Sequence, residues 1–372
     1  MLRHRLVLAS VMVAAAIAVT SCDVVQFPGT GPAPEETENT VPPPPPTTEV
    51  NPIPISEDIL DNAVFDDTSE TVDLGESASS PIDDALLAMN AVRCGPALEE
   101  TPTFAEAANA QPAAAVFSPQ AVNGTPVTAA DFPGIVKLEP KRRIADGISS
   151  GHCGATRISE NWFVTAAHCL DNVYDQIELI ATESSLRSSL AKTVNAVASI
   201  CHAAYGGAAG EYANDIALIG ISEDDAAMLT DVPIARFGDT DSPLTKSAYP
   251  EARMAGWGLT SFGGSLSDEL LSAELDIVST GPAIITVASR DSAGPCIGDS
   301  GGPLLIEESD GRPTVVGVLS VVEQNRTTGE FCSGEYRARY TNVQGYVDWI
   351  SNIRTLCDAS PDLCARAVTT PR

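Results

Sequence analysis

Basic side chains are scarce in this chain of 372 residues. It has 21 Lys and Arg against 50 Asp and Glu, a formal charge of −29 at pH 7. A phosphate backbone is gripped by a basic face, so the balance excludes nucleic acid as a partner. It otherwise implies a soluble chain that repels anionic surfaces. Long apolar runs are lacking too. The run over residues 6–19 has about 14 residues, short of the roughly 20 that a spanning helix needs. Histidine is rarer still: beyond residue 22 only His152, His168 and His202 occur. No internal repeat is visible. No cluster of His, Cys, Asp and Glu has metal-ligand spacing, so neither a metal nor a cofactor is expected.

The chain opens "MLRHRLVLASVMVAAAIAVTSC", a basic start, a short apolar run and small residues, which is the layout of an export signal over 1–22. Its end, "VTSC", resembles the lipobox of bacterial lipoproteins. That resemblance implies lipidation of Cys22 and a lipid-anchored location in the bacterial cell envelope, the acyl chains making the membrane contact. Residues 23–54 carry "VPPPPPTTEV"; consecutive prolines fit neither helix nor central strand, so this is an extended linker. Residues 55–120 read as an acidic pro-segment, poor in large apolar residues and disordered apart from a short helix within 82–92. From 23 to 120, 18 acidic residues face one basic residue, Arg93.

From residue 121 onward the character changes. Short β-favouring runs such as "NWFVTAAH", "DIALIGI" and "TVVGVLSVV" alternate with Gly, Asp and Ser, the pattern of an all-β barrel or sandwich. Tyr346, Trp349, Ile350 and Ile353 fall at i, i+3, i+4 and i+7, the apolar stripe of a C-terminal helix.

Chemistry concentrates at "CIGDSGGP" around Ser300. The stretch fits the G-x-S-x-G turn of α/β-hydrolases, whose histidine follows the serine in the chain. No histidine follows Ser300, so that fold is excluded. A serine hydroxyl needs a base, and the base needs an orienting group. His168 in "WFVTAAHC", Asp215 in "NDIALI" and Ser300 come in the order His, Asp, Ser, 47 and 85 residues apart. With "AGWG" and "YTNVQGYVDWI", these segments resemble the chymotrypsin/trypsin-like (S1) serine proteases over roughly 121–353.

The resemblance implies two six-stranded antiparallel β-barrels with a C-terminal helix, a protease domain over 121–353 and an extension over 354–372. It implies a serine endopeptidase working through an acyl-enzyme, with protein or peptide as substrate, no cofactor and a monomeric chain. Ser300 is the implied nucleophile, His168 the acid-base, Asp215 its orienter, and the N–H groups of Gly298 and Ser300 the oxyanion hole. Gly294 would form the base of the specificity pocket, with Val322 and Ala338 at its neck. Ser320 would sit beside Asp215, and residues 320–322, including Val321, would pair with substrate as an added strand. With no acid at Gly294, cleavage after Lys or Arg is not implied. Small or medium apolar residues before the cut are the first expectation; a chymotrypsin-like slot, or an acidic preference served by Arg337 or Arg339, stays open. The family's calcium loop falls near "IATESSLRSSL", whose one acid, Glu183, implies no calcium. His152 and His202 are expected to have no direct role. A catalytically silent homologue acting as a binding scaffold is the alternative function.

Eight cysteines besides Cys22 suggest four disulfides in an exported protein. The resemblance implies Cys153–Cys169 and Cys296–Cys332. Cys357 and Cys364 are near neighbours that could bridge locally, which leaves Cys94 with Cys201. In the family a freed N-terminal Ile or Val pairs with the aspartate before the serine, here Asp299. "QAVNGTPV" aligns with that site and puts Ala121 in first place after Gln120; cleavage one residue later would free Val122.

Overall fold

The structure, a computed structural model, describes residues 81–95, 124–144 and 147–366. The export signal, Cys22, the Pro-rich linker and Ala121 lie outside the described residues. In chain order, helix α1 (Pro81–Ala88) precedes strands β1 (Ala91–Arg93), β2 (Thr125–Pro126), β3 (Ile135–Ile144), β4 (Gly147–Ser150), β5 (Cys153–Arg157), β6 (Trp162–Thr165), β7 (Gln176–Ala181), β8 (Lys192–His202) and β9 (Ala217–Ile221). Helix α2 (Glu223–Met228) leads to β10 (Glu251–Gly256), β11 (Leu271–Thr280), β12 (Ile284–Ser289), β13 (Pro303–Glu307), β14 (Pro313–Val322) and β15 (Arg337–Asn342). Helices α3 (Val347–Ala359) and α4 (Pro361–Cys364) follow.

Two closed six-stranded antiparallel barrels result, the chymotrypsin-like fold. Strands β3, β5, β6, β9, β8 and β7 close the first, with β4 added on β3 and β1 on β8; β10, β13, β14, β15, β12 and β11 close the second, with β2 added on β11. Closure needs strands that bend from one neighbour to the next. The long strands do this through register shifts: β8 pairs with β7 up to Asn195 and with β9 from Ala196 onward, across a shift at Ala196/Ala198. Strand β11 has its shift at Ile277/Ser279 and β14 at Leu319/Val321, where an extra residue bends the strand.

Each barrel has its own apolar core. Val136, Leu138, Phe163, Val164, Ile200 and Leu218 fill the first, and Met254, Leu275, Val287, Leu304, Val316 and Tyr340 the second. Side chains alternate across a strand. Val136 and Leu138 therefore face the first core, while Ile135 on the opposite face joins Trp257, Leu270, Leu305 and Val315 in a third cluster. Strand β3 is buried on both faces because the second barrel covers it.

The C-terminal stripe closes on the first barrel. Tyr346, Trp349, Ile350 and Ile353 are all buried, and the helix continues past the stripe to Ala359. Cys357–Cys364 joins α3 to α4. The N-terminal residues 81–95 dock on the same barrel: β1 pairs with β8 across Val92↔Cys201, and Cys94–Cys201 crosses the same two strands. Helix α1 buries Leu86 completely, and the Trp349 indole N–H donates to Asn90 O at 3.1 Å.

Leu86→Ala should therefore cost the protease fold about 2–5 kcal/mol in urea unfolding, the range for a fully buried leucine. A cost near zero would mean that α1 lies on the barrel without supporting it.

Candidate active site

The first barrel supplies a histidine and an aspartate. Strand β6 ends at Thr165, and the tight turn Ala167–Cys169 that follows presents His168. Cys153–Cys169 staples that turn to β5. Asp215 lies just before β9 and has no exposed surface. Its Oδ1 accepts the His168 backbone N–H at 2.9 Å and its Oδ2 lies 2.7 Å from His168 Nδ1. A carboxylate can only accept, so Nδ1 carries the proton and Nε2 keeps its lone pair. The second barrel completes the hydrogen bonding of Asp215, at its carboxylate and at its main-chain carbonyl. The Ser320 hydroxyl donates to the same Oδ2 at 2.6 Å, and the Thr341 hydroxyl donates to Asp215 O at 2.8 Å.

Burial by itself depresses the basicity of the imidazole. The Asp215 charge and hydrogen bond, with the nearby Asp171 carboxylate, outweigh it, and the His168 pKa ends above its ordinary value. Asp171 is pushed up to about 7, mainly by burial, with the His168 charge opposing and the Asp215 charge adding to the rise. The Tyr205 hydroxyl donates to it at 3.4 Å, and the Tyr212 ring stands edge-on to the imidazole with centroids 5.8 Å apart. The cysteine sulfurs beside His168 are bonded to each other in Cys153–Cys169, so neither is a thiolate that could ligate a metal.

The second barrel supplies the serine. Residues 296–302 form a compact turn: Asp299 N donates to Cys296 O at 3.1 Å, Gly302 N to Asp299 O at 2.9 Å and Gly301 N to Leu319 O at 2.8 Å. Gly154 N on β5 donates to Ser300 O at 2.7 Å and ties the turn to the first barrel. Gly298 has φ +96°, and a Cβ there would lie 2.8 Å from Leu266 Cδ2 and 3.1 Å from Gly258 Cα, so only glycine fits. Among the described residues, neither the Gly298 nor the Ser300 N–H donates to another backbone group. No hydrogen bond joins the Ser300 hydroxyl to the imidazole among the described residues; such contacts commonly shorten only around substrate.

Asp299 points inward, 2% exposed, and accepts from Gly258 N at 2.6 Å and Cys296 N at 2.9 Å. Burial raises its pKa to about 6, opposed by those two bonds and by the Lys137 charge.

The pocket residues gather beside this turn. Gly294 and Ala338 are buried and Val322 is half-buried. Tyr336 lies beside Gly294. Its hydroxyl donates to Pro295 O at 2.9 Å and would lie 2.7 Å from a Cβ on Gly294. Its ring packs with Cys296–Cys332, Leu259 and Val322. Arg337 points out to solvent, and Arg339 pairs with Glu323 at 3.7 Å. His202, at the end of β8, packs on Tyr346 and Trp349. His152 is held near 4, by burial first and then by the Lys137 charge, so it is neutral.

Lys137, Tyr336 and Asp171 escaped the sequence reading. Lys137 alone carried a signal, a single cation inside the apolar run "GIVKL".

The sequence profile of the trypsin family matches residues 121–350, more than half of the chain. "Fibrinolytic enzyme, isozyme C" of Lumbricus rubellus is 29% identical over 256 residues, 62% of this chain and 98% of that protein. "Proproteinase E" of Bos taurus is 28% identical over 256 residues, 63% of this chain and 94% of that protein. "Serine proteinase stubble" of Drosophila melanogaster is 32% identical over 197 residues, 47% of this chain; the chain spans only 24% of that longer protein.

The imidazole makes a direct prediction. In NMR, His168 should titrate above 6.5, and Asp215→Asn should lower it, since burial is then opposed by the Asp171 charge alone. A process that needs neutral His168 is therefore lost as pH falls through the raised value. An unmoved titration in the variant would show that Asp215 does not set it.

Proposed function

The chain belongs to the trypsin family of serine proteases, and from that premise we propose that the cleft between its barrels hydrolyses peptide bonds with His168, Asp215 and Ser300. One observation carries the reading. Asp215 Oδ2 takes both the His168 Nδ1–H and the Ser320 hydroxyl, which leaves Nε2 free to accept. Across the cleft the Gly298 and Ser300 N–H groups have no backbone acceptor among the described residues.

The chemistry follows the protons. Ser300 Oγ attacks the scissile carbonyl as Nε2 takes its proton. The carbonyl oxygen becomes an oxyanion, held by the Gly298 and Ser300 N–H groups. Asp215 stabilises the imidazolium and keeps its ring oriented. Nε2–H then protonates the leaving amine, and the acyl-enzyme remains on Ser300. Water, deprotonated by Nε2, cleaves the ester and restores the serine. Substrate runs beside Ser320, Val321 and Val322 as an added strand.

The slot favours a small side chain before the cut. Gly294 leaves the base without a charge, and the Tyr336 ring floors it just below. A pocket floored this way would take alanine or valine. Four disulfides among the described residues suit an oxidising, extracytoplasmic compartment. Lipidation at Cys22 would hold the monomeric enzyme at the cell envelope. Because Cys94–Cys201 bridges the N-terminal segment to the first barrel, a cut between residues 95 and 124 would not release the protease from such an anchor.

A fluorophosphonate probe tests the function. It should add to Ser300, and Ser300→Ala should abolish the adduct and lower kcat on peptide substrates by about 10⁴–10⁶-fold. No adduct, with the chain folded, would favour a silent scaffold. The pocket has its own test on a peptide library. The chain should prefer Ala or Val before the cut, and Tyr336→Ala should move the preference toward Leu or Phe by about 10–200-fold in relative kcat/KM. An unchanged profile would remove Tyr336 from the pocket floor.

A further inference from the structure

Lys137 is the one charged side chain of β3 that is fully enclosed, at 1% exposure. Its neighbours Val136 and Leu138 face the core of the first barrel, so alternation aims Lys137 the other way, across the seam and at the serine turn of the second barrel. There its ammonium donates to Gly298 O at 3.4 Å. Gly298 is thus held on its C-terminal side: its carbonyl accepts from Lys137, and the next residue, Asp299, is fastened by Gly258 N and Cys296 N.

Among the described residues, Lys137 is the only cation whose charge acts on Asp299. A buried carboxylate without a counter-ion takes up a proton. Glu139, the other carboxylate that acts on Lys137, is shared with Lys141 at 3.7 Å and His152 at 3.9 Å. His152 is neutral. Tyr336 and Tyr340, which face Asp299 from the second barrel, have their pKa values raised by burial and stay neutral as well.

We propose that the Lys137 ammonium is the built-in counter-ion of Asp299, a positioning residue that keeps the Gly298 oxyanion hole formed in the uncut chain, so that activity needs no newly freed N-terminus. The inference rests on the protease reading above. It assigns to a side chain inside β3 the work that the family resemblance assigns to an ammonium freed at Ala121.

Charge states support it. Burial lowers the Lys137 pKa to about 8, with Asp299 and Glu139 opposing, and burial raises Asp299 to about 6. The ammonium is present below about 8 and the carboxylate above about 6, so both are charged between those values. As pH rises through about 8 the ammonium is lost, and with it the hold on the turn.

The test uses the full chain, shown to be uncut by intact mass and N-terminal sequencing. It measures the second-order rate of fluorophosphonate labelling at Ser300 from pH 5 to 10. Uncut wild type should label, with the rate falling above about pH 8. Lys137→Met should label about 100-fold or more slowly, as when an oxyanion donor is removed. Lys137→Arg keeps the charge; it should stay within about 10-fold of wild type and lose the alkaline limb, because a guanidinium does not deprotonate in this range. If Lys137→Met fails to fold, the comparison of wild type with Lys137→Arg decides alone. An alkaline limb unmoved in Lys137→Arg, or wild-type labelling by folded Lys137→Met, overturns the proposal. So does an uncut chain that is silent until it is opened before Ala121 by an engineered cleavage site; that outcome leaves the protease reading intact. Silence of both cut and uncut chains sinks the protease reading itself.

Discussion

A carboxylate with no exposed surface must be given donors from every side, and Asp215 draws them from both barrels. His168 contributes two from the first barrel and Ser320 one from β14 of the second, while Thr341 on β15 holds the Asp215 main-chain carbonyl. An ionised group so placed is tolerable only while those donors remain, since losing one leaves a buried charge short of a partner. The relative placement of the barrels is thereby coupled to the state of the His168–Asp215 pair. Gly154 N on Ser300 O is a second tie of the same kind, running from the first barrel to the serine turn. The geometry of the site is in this sense a property of the seam.

The seam holds a second buried carboxylate, and the two are handled differently. Asp215 is satisfied by neutral donors and by the imidazole it orients. Asp299 has two backbone N–H donors and then depends on a charge, that of Lys137. The first arrangement leaves the histidine free to gain and lose a proton. The second fixes a loop that must not move while charge develops on the substrate, where preorganised donors do most of their work. A chain with a formal charge of −29 still places its one enclosed lysine where a carboxylate would otherwise stand uncompensated. Net charge describes the surface; it says little about the sign of the field inside.

Much of this was legible in the sequence, for physical reasons that can be named. A serine needs a base, and chain order alone separated two folds that share a G-x-S-x-G turn. Short β-favouring runs and the stripe from Tyr346 to Ile353 pointed to a barrel or sandwich with a closing helix, and the family resemblance chose two barrels. What stayed hidden depends on which surface covers a strand. "GIVKL" reads as a continuous apolar run broken by one cation, and only the second barrel lying over β3 turns Lys137 from a surface residue into an enclosed one. Tyr336 meets Gly294 from 42 residues away, through the fold of β12 and β15 and the clasp of Cys296–Cys332. No local pattern marks such a contact. Asp171 likewise gains its character from Tyr205 and the pair His168–Asp215, all brought together by loops.

The segment before the barrels bears on the site by an equally physical route. Strand β1 pairs with the end of β8, across Ala91↔His202 and Val92↔Cys201, and Ala203 N donates to Asn90 O at 2.8 Å. Residue 203 opens the loop that carries Tyr205, Tyr212 and Asn214 to Asp215. The far end of that loop is held by the Tyr346 hydroxyl, which donates to Asn214 Oδ1 at 3.0 Å. The Arg93 guanidinium reaches Leu363 O, and Arg366 N donates to Val197 O. Residues from both ends of the described chain thus converge on β8 and on the loop leading to Asp215. A covalent bond, Cys94–Cys201, sits at the centre of that convergence. The N-terminal segment is therefore built into the wall that positions Asp215. Its loss would act on the orientation of the imidazole and not on stability alone.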